Sequence, residues 1–216
     1  MAHIPDGVLS APVLIAGAAV AVAGCAQGLR RLDAERIPQV AVLSAAFFVA
    51  SLVHFTVGPS SVHLLLTGLT GILLGWAAFP AMLVGLFLQA ILFGFGGLLS
   101  LGANVMNMAV PAVVCGLAFR LAAPRGERAA VIAATILGGL GVLLTALFVA
   151  GDLALSGREF WPAAKLLVFA HVPVALIEAV FSGGAVAVLI RTRPDSLGLP
   201  AEFGAPRIVT PESAHG

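Results

Sequence analysis

The chain has 216 residues, 60% of them apolar and 10% charged, with a formal net charge of +1 and a mean hydropathy of +1.10. A soluble domain carries about 45–50% apolar and about 25% charged residues, so no single globular core could hide this much apolar surface and lipid must solvate much of it. The near-neutral balance excludes nucleic acid as a partner, because nucleic acid requires a concentrated basic face.

Apolar runs able to cross a hydrocarbon core of about 30 Å, which takes roughly 20 helical residues, recur along the whole chain. They predict an all-α membrane protein with about seven transmembrane helices, near residues 8–29, 37–57, 63–79, 80–99, 104–121, 129–151 and 161–190. Within the first run, Val22-Ala23-Gly24-Cys25 resembles the cleavage box before a lipidated cysteine. The segment ahead of it holds Asp6 and no Lys or Arg, which is wrong for a signal peptide, so the run reads as a retained helix. Cys25 and Cys115 both lie in apolar runs and read as small packed hydrophobes rather than a disulfide.

The third and fourth runs meet at Ala78-Phe79-Pro80, where Pro80 suits a tight turn, although one long broken helix also fits. Gly71 and Gly75 have the GxxxG spacing that lets membrane helices approach closely. The last run exceeds what a crossing needs, so tilt or a kink at Pro173 is expected. Residues 1–190 read as one transmembrane domain and 191–216, rich in Pro, Gly and polar residues, as a flexible cytoplasmic tail. With seven spans and the N-terminus outside, nine of the eleven basic residues are cytoplasmic; Arg158 and Lys165 alone fall outside. Positive charge therefore predicts an extracytoplasmic N-terminus and a cytoplasmic C-terminus.

Absent motifs narrow the chemistry. Lys165 is the sole lysine, so a G-x-x-x-x-G-K-[ST] phosphate loop is impossible, and neither H-E-x-x-H nor G-x-S-x-G occurs. Energy for uphill transport would have to come from another subunit or an ion gradient. Polar groups inside a membrane are costly and tend to face a functional interior. Here they are few: His3, Asp6, His54, His63, Asn104, Asn107, His171 and Glu178, with His215 in the tail. His171 and Glu178 are two helical turns apart and share a face.

His3 is the sharpest of these. If Met1 is removed, the α-amine of Ala2, the His3 backbone nitrogen and its Nδ1 can wrap one metal in fused chelate rings. If Met1 stays, the amine, two amide nitrogens and the imidazole form the amino-terminal chelate. Either set is planar and suits Ni(II) or Cu(II). A lone N-terminal histidine carries little weight by itself; His63, in an outer loop, could close the plane. His54 reads as interfacial, and His171 with Glu178 either orients a ligand or bonds across helices.

The opening Met1-Ala2-His3-Ile4-Pro5-Asp6-Gly7 resembles that of the CbiM/NikM family, substrate-binding membrane subunits of cobalt and nickel energy-coupling-factor transporters. Ser61-Val62-His63-Leu64-Leu65-Leu66, Asn104-Val105-Met106-Asn107-Met108 and His171-Val172-Pro173 with Glu178 are similar to that family too. The resemblance covers nearly all of residues 1–190. It implies a seven-helix substrate subunit whose N-terminus plunges inward to hold Co2+ or Ni2+, with a lean to cobalt. Its implied ligands are the terminal amine (Ala2, or Met1 if retained), the His3 amide and Nδ1, and His63, with Asp6, Asn104, Asn107, His171 and Glu178 in support. Its implied partners are a CbiQ/NikQ-type transmembrane coupling subunit, CbiO/NikO-type ATPases and a small CbiN/NikN-type membrane protein, in a prokaryotic cytoplasmic membrane. The family has histidine directly after methionine, and the intervening Ala2 departs from that pattern unless Met1 is removed. A stand-alone channel or secondary carrier, and an intramembrane metalloenzyme using His171 and Glu178, are the competing readings.

Overall fold

Proline starts several of the helices rather than ending them, because its fixed φ and missing donor suit the first turn. Pro12 opens α1 (Ala11–Arg30), Pro38 opens α2 (Ile37–Ala50) and Pro162 opens α7 (Trp161–Thr192). Between them lie α3 (Thr67–Leu74), α4 (Ala78–Phe93), α5 (Leu101–Ala122) and α6 (Glu127–Ser156). These elements come from a computed structural model that describes residues 3–57, 60–200 and 203, with backbone alone across 54–57 and 60–63.

Five helical stretches among the described residues are long and apolar enough to cross a bilayer: Ala11–Arg30, Thr67–Phe93, Leu101–Arg125, Glu127–Ser156 and Arg158–Thr192. The protein is thus a multi-pass membrane protein. Leu99, Leu121, Leu155, Phe169 and Val180 each keep more than 70% of their surface open, as lipid-facing side chains do. The sequence expected about seven spans, whereas five stretches qualify among the described residues: α3 and α4 count together as one of them, and α2 is too short to cross alone. At 1.5 Å per residue, α2 is about 21 Å long and α3 about 12 Å.

Two differences from the sequence expectation have local causes. The second run does not stay helical to residue 57: α2 stops at Ala50, and β1 (His54–Val57) pairs antiparallel with β2 (Ser60–His63). Val53 to Val57 is β-branched and aromatic, and Gly58-Pro59-Ser60 has turn composition, so the run favours a hairpin. The break between the third and fourth runs lies at Gly75–Ala77, ahead of Pro80. Gly75 takes φ +56°, a conformation that side chains resist, whereas Pro80 sits harmlessly in the first turn of α4.

Helix α5 is the hub, packing against α1, α3, α4 and α6, while α6 and α7 pair along their length. Small residues permit this closeness. A Cβ at Gly71 would strike the Ala112 carbonyl, and one at Gly116 would strike the Gly71 carbonyl, so α3 and α5 cross backbone to backbone. The stretch after Thr192 turns back through a 3-10 turn, Pro194–Leu197, burying Leu197 and Leu199 in the same core. Residues 201, 202 and 204–216, with His215, lie outside the described residues.

Candidate metal-capture site at the N-terminus

One side-chain amide holds the chain's beginning. Asn104, in the first turn of α5, accepts from the Ile4 N–H at 2.9 Å and donates to the Ile4 carbonyl at 3.0 Å. The Ser100 hydroxyl also donates to that carbonyl, at 2.7 Å. Both backbone groups of Ile4 are thereby satisfied away from water, and Pro5 next in line has no N–H to satisfy. The segment enters the protein deeply enough that His3 is 5% exposed and Ile4 3% exposed. Ile4 packs with Leu9, Val13, Ala103, Val149 and Leu153, so α1, α5 and α6 all meet it. Gly96, at φ +77°, carries the chain past this point; a Cβ there would lie 3.1 Å from the Asn104 amide nitrogen and 3.4 Å from the His3 Cβ.

Asp6 closes the turn from outside. Its Oδ1 accepts from the Ser100 N–H at 2.9 Å, putting a carboxylate at the N-terminus of α5, where the helix dipole favours it. Slight desolvation raises its pKa, but hydrogen bonds from the Ser100, Leu99 and Leu98 backbone and the Ser100 hydroxyl outweigh this and hold it below the ordinary 3.8. A carboxyl with a depressed folded pKa contributes stability that is complete above its unfolded pKa and lost as pH falls through the folded one. The thermal midpoint of the metal-free protein is therefore expected to exceed that of Asp6→Ala at pH 7, and the gap to close below pH 3.8. A gap that persists unchanged in acid would remove Asp6 from this role.

The second histidine segment is anchored from α7. Glu178 is fully buried, and its Oε1 accepts the Leu65 N–H and, at 2.9 Å, the Leu66 N–H. These amides follow His63 by two and three residues and lie just before α3, so one carboxylate fixes the chain between the exit of β2 and the start of the next helix. Leu66 accommodates the sharp entry at φ +49°. In the hairpin register His54 stands directly opposite His63, and β2 packs against α7. The side chains of both histidines, together with Met1 and Ala2, lie outside the described residues.

The remaining polar groups divide. Asn107, one turn beyond Asn104, donates to Asp152 of α6 at 2.8 Å. The Ser156 hydroxyl accepts the Ser10 N–H at 3.0 Å, tying the start of α1 to the end of α6. His171 is 1% exposed, and its Nδ1 meets the Leu167 carbonyl of its own helix at 2.7 Å. Its Nε2 finds no hydrogen-bond partner among the described residues. The structure thus gathers His3, Ile4, Asp6, Ser100 and Asn104 into one knot, and ties Glu178 to the chain just after His63. Among the described residues no hydrogen bond joins His171 to either group. Ser100 and Asp152 escape the sequence reading; an acid within the apolar run 129–151 and its continuation is the signal that could have found Asp152.

Comparison with known proteins agrees with this architecture. A family model described as the cobalt uptake substrate-specific transmembrane region, CbiM, matches residues 3–196. A Haemophilus influenzae protein named "Putative metal transport protein" is 41% identical, over 93% of this chain and 99% of its own. The fused nickel transport protein NikMN of Rhodobacter capsulatus is 33% identical over 90% of this chain and 63% of its own. The crystal structure of a truncated transition metal transporter superposes with a TM-score of 0.74 at 28% identity, covering 88% of this chain and 98% of that one. The family's members are transport components, which removes the metalloenzyme reading of His171 and Glu178. The chain belongs to the CbiM family of substrate-specific components for cobalt and nickel transport.

Proposed function

We propose that this protein captures Co2+ or Ni2+ on the extracytoplasmic face and presents it for ATP-driven uptake by partner subunits. The observation that carries the reading is the clamp of Asn104 on Ile4, which keeps His3 buried at the very start of the chain. The proposed ligands are the α-amine of Ala2 after loss of Met1, the His3 amide nitrogen and Nδ1, and the His63 imidazole. The Ile4 N–H is already engaged by Asn104, so the chelate ends at His3. Four nitrogens in one plane suit Ni(II); nitrogen ligands suit Co(II) as well, so the choice of metal follows geometry and supply.

In this reading Asn104 and Asp6 hold the first ligand segment, Glu178 holds the second, and Asn107 and His171 support the surroundings. The skew of basic residues supports an N-terminus outside and a C-terminus in the cytoplasm of a prokaryote. The chain carries no phosphate loop, so ATP hydrolysis falls to CbiO/NikO-type ATPases acting through a CbiQ/NikQ-type coupling subunit. A small CbiN/NikN-type membrane protein completes the assembly, a partnership favoured by the fused NikMN relative.

The test is the metal content of the purified protein, measured by mass spectrometry together with its intact mass. The free-ended protein is expected to carry Co2+ or Ni2+, and acetylation of the amino end to empty it. Undiminished metal in the acetylated protein would sink the ligand set. Binding should also release protons and weaken in acid, because amine and imidazole must shed protons to coordinate.

A further inference from the structure

Three arginines converge where α3 breaks into α4. Arg31, Arg36 and Arg120, from the ends of α1, the α1–α2 connector and the end of α5, line a pocket of about 130 Å³ with Trp76 and Gly75. The Arg31 guanidinium lies over the Trp76 ring, 5.6 Å from its centroid. Arg36 donates to the Leu73 carbonyl at 3.0 Å and faces Gln39 at 3.5 Å, and Arg120 lies against Gly75. Among the described residues the ion pairs are Arg191–Glu127 and Arg193–Asp195, so none of these three cations has a carboxylate partner. Asp33 and Glu35 share the connector with Arg31 and Arg36 and pair with neither.

An apolar groove of about 480 Å³ adjoins the pocket and shares Trp76 and Leu117 with it as walls. Val20, Ala23, Val110 and Val114 of α1 and α5 line its length, which covers eight residues of each helix, a rise of about 10 Å. A positive pocket with room for about four waters by liquid volume, the scale of a phosphate group, thus caps a hydrocarbon-lined slot on the lipid-facing side of the bundle.

From this pairing we infer that the α1–α5 face is a binding site for one anionic phospholipid, its phosphate among Arg31, Arg36 and Arg120 and an acyl chain along the groove. Charge complementarity selects this occupant. An uncharged apolar helix would fill the slot and leave three arginines without a counter-charge, and a free anion would supply the charge and leave the slot empty. Trp76 at the junction suits the headgroup level, where indole rings concentrate. The inference stands apart from metal capture, since none of these residues belongs to the metal-capture site.

Trp76 is also the reporter. In a Trp161→Phe background it is the single tryptophan, and bilayer nanodiscs can carry phosphatidylglycerol or phosphatidylcholine brominated along the acyl chains. Brominated phosphatidylglycerol is expected to quench Trp76 at about five-fold lower mole fraction than phosphatidylcholine, the effect of one surface arginine contact or more. Arg120→Gln should erase the preference and Arg191→Gln should keep it, while Ala23→Phe, which fills the slot from the lipid side, should weaken quenching by both lipids. Equal quenching by the two lipids, or loss of the preference in Arg191→Gln as well, would overturn the proposal. Displacement of the phosphatidylglycerol effect by inorganic phosphate, with Ala23→Phe silent, would assign a free anion instead. Shielding of Trp76 from both lipids once the chain is assembled with its partner subunits would assign the groove to a partner's helix.

Discussion

His3→Ala is expected to reduce metal uptake to background while leaving the protein folded. The substitution removes Nδ1 from the proposed plane of nitrogens and opens the chelate ring that imidazole closes with its own backbone nitrogen. Loss of a group that merely orients a ligand costs about 10–100-fold in metal affinity, and loss of a ligand itself exceeds this. The fold should survive because the clamp acts on the Ile4 backbone, which the change leaves alone. Uptake of labelled Co2+ or Ni2+ by cells, alongside the thermal midpoint of the metal-free protein, separates the two effects. Normal uptake by this variant would remove His3 from the ligand set.

The second large effect belongs to Asn104→Leu, which keeps the side chain's bulk and deletes its hydrogen bonds. The Ile4 N–H would lose its partner, and the carbonyl would keep the Ser100 hydroxyl alone. An unsatisfied buried group costs about 1–3 kcal/mol, enough to make release of residues 3–7 the cheaper outcome. Metal affinity should fall about 10–100-fold, as for other residues that position a ligand. Because the released segment precedes α1, helix content should be unchanged, while protease should reach the first ten residues faster. A merely structural Asn104 would instead lower the unfolding midpoint and leave affinity alone. Retained affinity would detach the clamp from function.

What the sequence disclosed followed from patterns that one dimension preserves. Length and apolarity of the runs gave α1, α5, α6 and α7 within a few residues, because lipid leaves a helix no other way to satisfy its backbone. The opening motif singled out His3, and the cost of polar groups in lipid singled out Asn104 and Glu178. Their partners stayed hidden, since Asn104 meets Ile4 100 residues away and Glu178 meets Leu65 113 residues away. Nothing in local propensity encodes such pairs. The hairpin was obscured for another reason: Val53 to Val57 is apolar enough to continue a helix, and its β-branched character decides only once the turn after it is weighed. Gly75 rather than Pro80 breaks the third run because a positive φ interrupts a helix wherever it falls, whereas proline interrupts it only past the first turn.

The eight residues of α3 depend on contacts from far before and far after them in the chain. The amides of Leu65 and Leu66 just ahead of it rest on a carboxylate in α7, and its Leu73 carbonyl rests on an arginine made before α2. A helix of about 12 Å cannot span lipid unaided. Thr67–Leu74 can pack against α5 but lacks its carboxylate anchor while the ribosome is still synthesising the middle of the chain. It reaches its final seat only after Glu178 has emerged and entered the membrane. Truncations that stop short of residue 178 should leave this segment without its seat even though every residue of it is present.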